Sequence, residues 1–182
     1  ISDGSLPFEG KLDNLKLYPY EISSSKVEEL YSSSKSKISS EENSSSNLKD
    51  GLVLSQNFDR VENCGQTDAL SCPDGMSGEI GVDESGKANH AELVNNPAWL
   101  ESSDCKLGKC IGLDKGNNYV SITDDSSFKP GKTSFSLFSW VNVEDNSDNW
   151  ATVVDKYVGS DNAAYQLNVR PSGELHLDIG DG

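Results

Sequence analysis

From Phe8 to Tyr18 the chain alternates: Phe8, Leu12, Leu15 and Leu17 are apolar, while Lys11, Asp13, Asn14 and Lys16 are polar. This imperfect period of two predicts a half-buried strand, and Pro19 ends it. In the next segment, "EISSSKVEELY", Ser23 or Ser25 can cap a short helix whose apolar side is Ile22, Val27, Leu30 and Tyr31. Such a helix is too short to stand alone, so it must pack against something.

Residues 32–46, "SSSKSKISSEENSSS", are almost free of apolar side chains and cannot bury a core, which predicts a flexible linker over 32–50. Beyond Gly51 come short runs rich in β-branched and aromatic residues: "GLVLSQNF", "YVSITD", "SFSLFSWVNV", "ATVVDKYV", "AYQLNVR" and "ELHLDIG". Turn-prone pieces such as "DKGNN", "KPGKT", "GSDN" and "PSG" separate them, a spacing that suits an antiparallel all-β sandwich. In "SFSLFSWVNV", Phe135, Leu137, Val141 and Val143 make one apolar face, and Phe138 and Trp140 are available to the other. A strand apolar on both faces is expected in the middle of a sandwich, with Trp140 in the core.

A net charge of −15 on 182 residues disfavours nucleic acid and anionic membrane surfaces, since both are bound through clustered Lys and Arg. No apolar run reaches the roughly 20 residues needed to span a bilayer, and residues 1–20 lack the pattern of a signal peptide. The four cysteines form two close pairs, Cys64 with Cys72 and Cys105 with Cys110. Local disulfides are favoured over a four-thiolate zinc site, whose ligands usually stand two residues apart rather than seven and four. That places the chain in an oxidising, extracellular or cell-surface setting, where Asn43 in "NSS" is a glycosylation acceptor.

The block after Gly51 resembles the first two-thirds of a laminin-G-like domain of the concanavalin-A-like jelly-roll superfamily. The features that carry the resemblance occur in the family's order: "GLVLSQNFD" as opening strand, "DESGKANHAEL" as Asp-rich loop, "LGKCIGLDKGNNYVSI" as a strand pair, "SFSLFSWVNV" as long central strand, and "YQLNVRPSGELHLDIGDG" as a hairpin. The opening stretch "FEGKLDNLKLYPYEISSSKVEELY" resembles the last strand and closing helix of the same family. The resemblance implies the end of one jelly roll over 1–31, a linker over 32–50, and a second, C-terminally incomplete jelly roll over 51–182. A piece of a tandem array is the favoured explanation, with residues 8–18 pairing outside the 51–182 block. Two alternatives stand beside it: a permuted single domain, since fifteen extended residues reach about 50 Å, or completion of a neighbouring copy head to tail.

No nucleophile elbow, phosphate-binding Gly loop or zinc signature occurs, and His90 and His176 read as structural or exposed, so a non-enzymatic role is expected. A Ca²⁺ site is a chemical candidate. "VDESGKANH" offers Asp83, Asn89 and the carbonyls around Gly86, while the family's loop arrangement would add Asp59 and Asp13. The same residue types are also ordinary turn formers, and both readings stay open. Sugar binding needs aromatic platforms beside polar groups, and Trp99, Trp150 and Tyr157 fall near loops. The expected function is a non-catalytic extracellular module of a tandem-repeat surface protein that binds glycans or proteins or builds fibres from neighbouring copies. The alternative is an accessory carbohydrate-binding domain of a secreted polysaccharide-degrading enzyme.

Overall fold

In a computed structural model, residues 8–34, 49–64, 72, 78–129, 131, 133–145, 150–156 and 164–180 are described. Asn43, Tyr157 and most of the 32–50 segment lie outside them. The described residues form twelve strands: β1 Glu9–Tyr18, β2 Leu54–Gln56, β3 Val61–Asn63, β4 Glu79–Gly81, β5 Ala91–Val94, β6 Ala98–Leu100, β7 Cys110–Leu113, β8 Tyr119–Ile122, β9 Ser136–Asp145, β10 Ala151–Lys156, β11 Tyr165–Val169 and β12 Leu175–Ile179. One helix, α1, spans Ser24–Ser33, and a 3-10 turn spans Ser126–Phe128.

All strand pairs are antiparallel and fall into three sheets. One sheet joins β2, β1, β7, β6 and β9, a second runs β3-β4-β5-β8, and a third β10-β11-β12. A single apolar cluster takes Leu12 and Leu15 from the first sheet, Ala91 and Val120 from the second, and Val153 and Val169 from the third. The protein is therefore an all-β, sandwich-like fold.

β1 lies at the centre of the first sheet. Along one edge it pairs with β9 from Glu9 to Tyr18; along the other it pairs with β7 at Gly10–Leu12 and with β2 at Leu15–Leu17. The expectation that residues 8–18 pair outside the 51–182 block is overturned. Every one of these partners lies inside that block, as in the permuted arrangement, because the backbone groups of a buried strand must be paired and these three strands offer the open edges.

The imperfect alternation of β1 has a structural cause. The ladder with β9 shifts register between Asp13 and Lys16, and Asn14 there takes a positive φ of 54°. A bulge of this kind inserts one residue and swaps the parity of the faces. Phe8 and Leu12 before it, and Leu15 and Leu17 after it, consequently enter the same core, while Tyr18 turns to the other side. Gly10 is needed by contact: a Cβ there would lie 2.1 Å from the carbonyl oxygen of Asn142 on β9.

On the outer face of this sheet a second apolar cluster joins Tyr18, Leu30 and Leu52, with Ile22 and Phe138 against it. Ser23 caps α1 by accepting from the Lys26 N–H, and Leu30 is the helix residue that is buried. The helix runs into the serine-rich stretch, with Ser34 as its C-cap, so the segment expected as linker begins later than Ser32. β9 is apolar on both faces because α1 covers its outer side. It is not the middle strand expected: among the described residues it pairs with β1 alone. The "LGKCIGLDKGNNYVSI" strands β7 and β8 do not pair with each other either, β7 joining β1 and β6 and β8 joining β5.

The chain without its first 34 residues is expected to stay unfolded by circular dichroism, since β2, β7 and β9 lose their common partner. A synthetic peptide spanning residues 8–34, added in trans, should restore β structure; a folded truncated chain would contradict this topology.

Candidate functional site

The loop after β4 is built around one carboxylate. Asp83 Oδ1 accepts from the Ser55 N–H at 2.8 Å and the Ser85 N–H at 3.1 Å, and Oδ2 accepts from the Ser85 hydroxyl at 2.6 Å and the Asn89 N–H at 3.0 Å. Asn89 Nδ2 donates to the Val53 carbonyl at 2.7 Å, and its own carbonyl accepts from Gln56 Nε2 at 3.0 Å. His90 Nδ1 accepts from the Asp83 N–H at 3.1 Å. Asp83, Asn89 and His90 thus tie the loop to β2 and to itself, which is the work of turn-forming residues.

Asp13 and Asp59, 46 positions apart in the chain, meet at a different loop, the one closed by the Cys105–Cys110 disulfide. Asp13 Oδ2 accepts from the Leu107 N–H at 2.8 Å, and Asp59 Oδ1 accepts from the Lys109 N–H at 2.6 Å. Gly108 lies between these donors with a φ of +46°, and a Cβ on it would come 1.7 Å from Asp59 Oδ1. Only glycine fits between the two clamps. Burial pushes the Asp13 carboxyl above the usual range, and the nearby Asp59 charge adds to this, against the hydrogen bonds from Leu107 and Asn14. The neighbouring cation is Lys16, whose ammonium donates to Asn14 Oδ1 at 2.9 Å. Burial pulls its pKa down, and the charges of Glu84, Asp13 and Asp59 oppose that shift.

The four residues considered for Ca²⁺ therefore separate into two places, Asp83 with Asn89 and Asp13 with Asp59. Among the described residues no three His, Cys, Asp or Glu side chains gather as a metal-binding group. Both cysteine pairs are disulfides, each with its Cα atoms 5.5 Å apart. No helix among the described residues is long and apolar enough to cross a membrane.

Beside the Asp13 clamp lies a cleft of about 250 Å³. The disulfide forms part of its wall, and Lys11, Asp13, Asp104, Lys106, Trp140 and Asn142 line the rest. Trp140 is here rather than in the main core, contrary to expectation: the bulge in β1 and the helix on the outer face leave it under Tyr31, its ring stacked at 5.4 Å between centroids. Lys106 Nζ stands 4.6 Å from the Trp140 ring centroid, a cation–π contact. The indole N–H of Trp140 is buried with no hydrogen-bond partner among the described residues. A buried donor left unpaired in this way is costly to the fold.

Of the aromatic residues considered for sugar binding, Trp99 packs into the core against Phe58 at 5.9 Å. Trp150 is held between Arg170, 4.6 Å from its ring, and His176, 4.8 Å between centroids. These two are far apart in the fold's connectivity, on β6 and beside β10, and they do not make one platform. Asp13 and the Cys105–Cys110 pair were named from the sequence, but as a site the cleft was missed because its signal is positional. Lys11, Asn142 and Trp140 sit on the paired strands β1 and β9, and only the register brings them to the Cys105–Cys110 loop. Compared with protein-family models, curated proteins and solved structures, the chain finds no match.

Asp83→Ala should cost about 3 kcal/mol in chemical denaturation, because it strands the buried Ser55 N–H and three part-buried donors at once. Asp13→Asn tests the electrostatics. A carboxyl whose native pKa lies above its ordinary 3.8 favours folding below that pH and loses this contribution as pH rises through the native pKa. The melting temperature of Asp13→Asn relative to the parent should accordingly rise from pH 3 to pH 7; a flat difference would refute the raised pKa.

Proposed function

We propose that the protein is a non-catalytic extracellular binding module, related in architecture to laminin-G-like jelly rolls, whose ligand is a glycan held in the Trp140 cleft. The observation that carries this reading is one cleft in which the Trp140 ring stands among charged and amide groups, Lys11, Asp13, Asp104, Lys106 and Asn142. A pyranose presents an apolar face and a ring of hydroxyls, and the cleft has a counterpart for each. The Trp140 ring, which lines the cleft, is the aromatic surface for the sugar face. Lys11 and Asn142 donate to hydroxyl oxygens, and Asp104 accepts from hydroxyl hydrogens.

Two disulfides support the extracellular assignment, since such bonds persist in oxidising compartments. The reading assigns Ca²⁺ no part in ligand contact: the Asp83 and Asn89 side chains are engaged in hydrogen bonds within the protein.

The test is a glycan-array screen followed by calorimetry on the best binder. Trp140→Phe replaces the indole by a smaller ring and shrinks the stacking surface, so binding should weaken about tenfold with the fold intact. Absence of binding to every glycan, or unchanged affinity in Trp140→Phe, would sink the assignment.

A further inference from the structure

β12 carries an apolar stripe that nothing among the described residues covers. Its register with β11 places Leu175 opposite Val169, Leu177 opposite Leu167, and Ile179 opposite Tyr165. Directly opposed residues share a face. Val169 and Tyr165 are buried in the main core, yet Leu175, Leu177 and Ile179 on the same face are 71%, 48% and 60% exposed. The core-facing side of the sheet thus extends one strand beyond what the opposite layer covers.

The free edge of β12 is equally open. Among the described residues β12 pairs with β11 alone, over five consecutive positions without a bulge. Its sequence, Leu-His-Leu-Asp-Ile, has no lysine or proline, the devices that usually protect an edge from pairing with another chain.

We propose that this edge pairs with the same strand of a second copy, antiparallel about a two-fold axis at Leu177. The strand is complementary to itself in this register. On the apolar face Leu177 meets its own copy, and Leu175 meets the second copy's Ile179 at both ends. On the opposite face His176 meets the second copy's Asp178, again twice. His176 is already positioned by Trp150 and lies 3.1 Å from Asp178 Oδ2 in its own strand, so pairing extends an existing polar contact across the interface. Two three-stranded sheets become one continuous sheet, and the exposed stripes merge into one shared apolar surface. The association leaves the Trp140 cleft free, because that cleft belongs to the five-stranded sheet.

Sedimentation of the 182-residue chain should give a concentration-dependent shift towards twice its 19.6 kDa mass. Leu177→Lys places two like charges at the axis and should leave a monomer with an unchanged circular-dichroism spectrum. His176→Asp sets Asp against Asp178 at two sites and should weaken association about tenfold or more. Exchanging the pair, His176→Asp with Asp178→His, should restore it. A protein that stays monomeric at on the order of 100 μM overturns the proposal, including one whose β12 amides resist hydrogen exchange because other parts of the chain cover them. So does an oligomer that survives Leu177→Lys, or one that the exchanged pair fails to restore.

Discussion

Everything in this fold depends on the two ladders of β1. Its ten residues are separated from β2 by α1 and the serine-rich segment, yet they supply the backbone partners of β2, β7 and β9 at once. A central strand satisfies both its edges only if the chain closes around it. The bulge at Asn14 then decides which side chains enter the core, and α1, carried on the end of the same strand, covers the outer face of β9. One segment therefore joins the first sheet together, seals part of the core and stacks Tyr31 on Trp140.

Three carboxylates, Asp13 and Asp83 buried and Asp59 exposed, organise two loops. Asp13 and Asp59 spend their acceptors on the backbone of one disulfide-closed loop, and the glycine between the donors admits no side chain. Asp83 does the same for its own loop and β2. In each case a carboxylate accepts from loop N–H groups; Asp13 does so at the cost of its own desolvation, whereas Asp59 stays exposed. The result is a pair of rigid loops, one of which forms a wall of the Trp140 cleft.

The sandwich is not equally closed on all sides. Around β1 nearly every apolar side chain is buried, whereas on β12 the same alternation emerges into solvent. The cleft and the β12 edge show opposite properties of one architecture: a recess lined by polar groups beside the five-stranded sheet, and an exposed apolar strip on the three-stranded one.

The strand of residues 8–18, the helix with its Ser23 cap, six strands of the later block and both cysteine pairs were legible in the sequence, because periodicity, capping and close spacing are local. The short strands β3 to β6 were not: three or four residues carry too little pattern, and their order comes from pairing. The Ca²⁺ candidates show the same limit, since residue type suggested Asp83, Asn89, Asp59 and Asp13 together, and only hydrogen-bond partners separated them into two loops. Trp140 was expected inside because its strand is apolar on both faces, and it was the packing of α1 that gave it a cleft instead. By itself the sequence determined the longer extended segments, the helix and which cysteines can meet. Tertiary structure alone decided that the first strand completes the later block, because which edges remain open for a ladder depends on contacts made across more than a hundred residues.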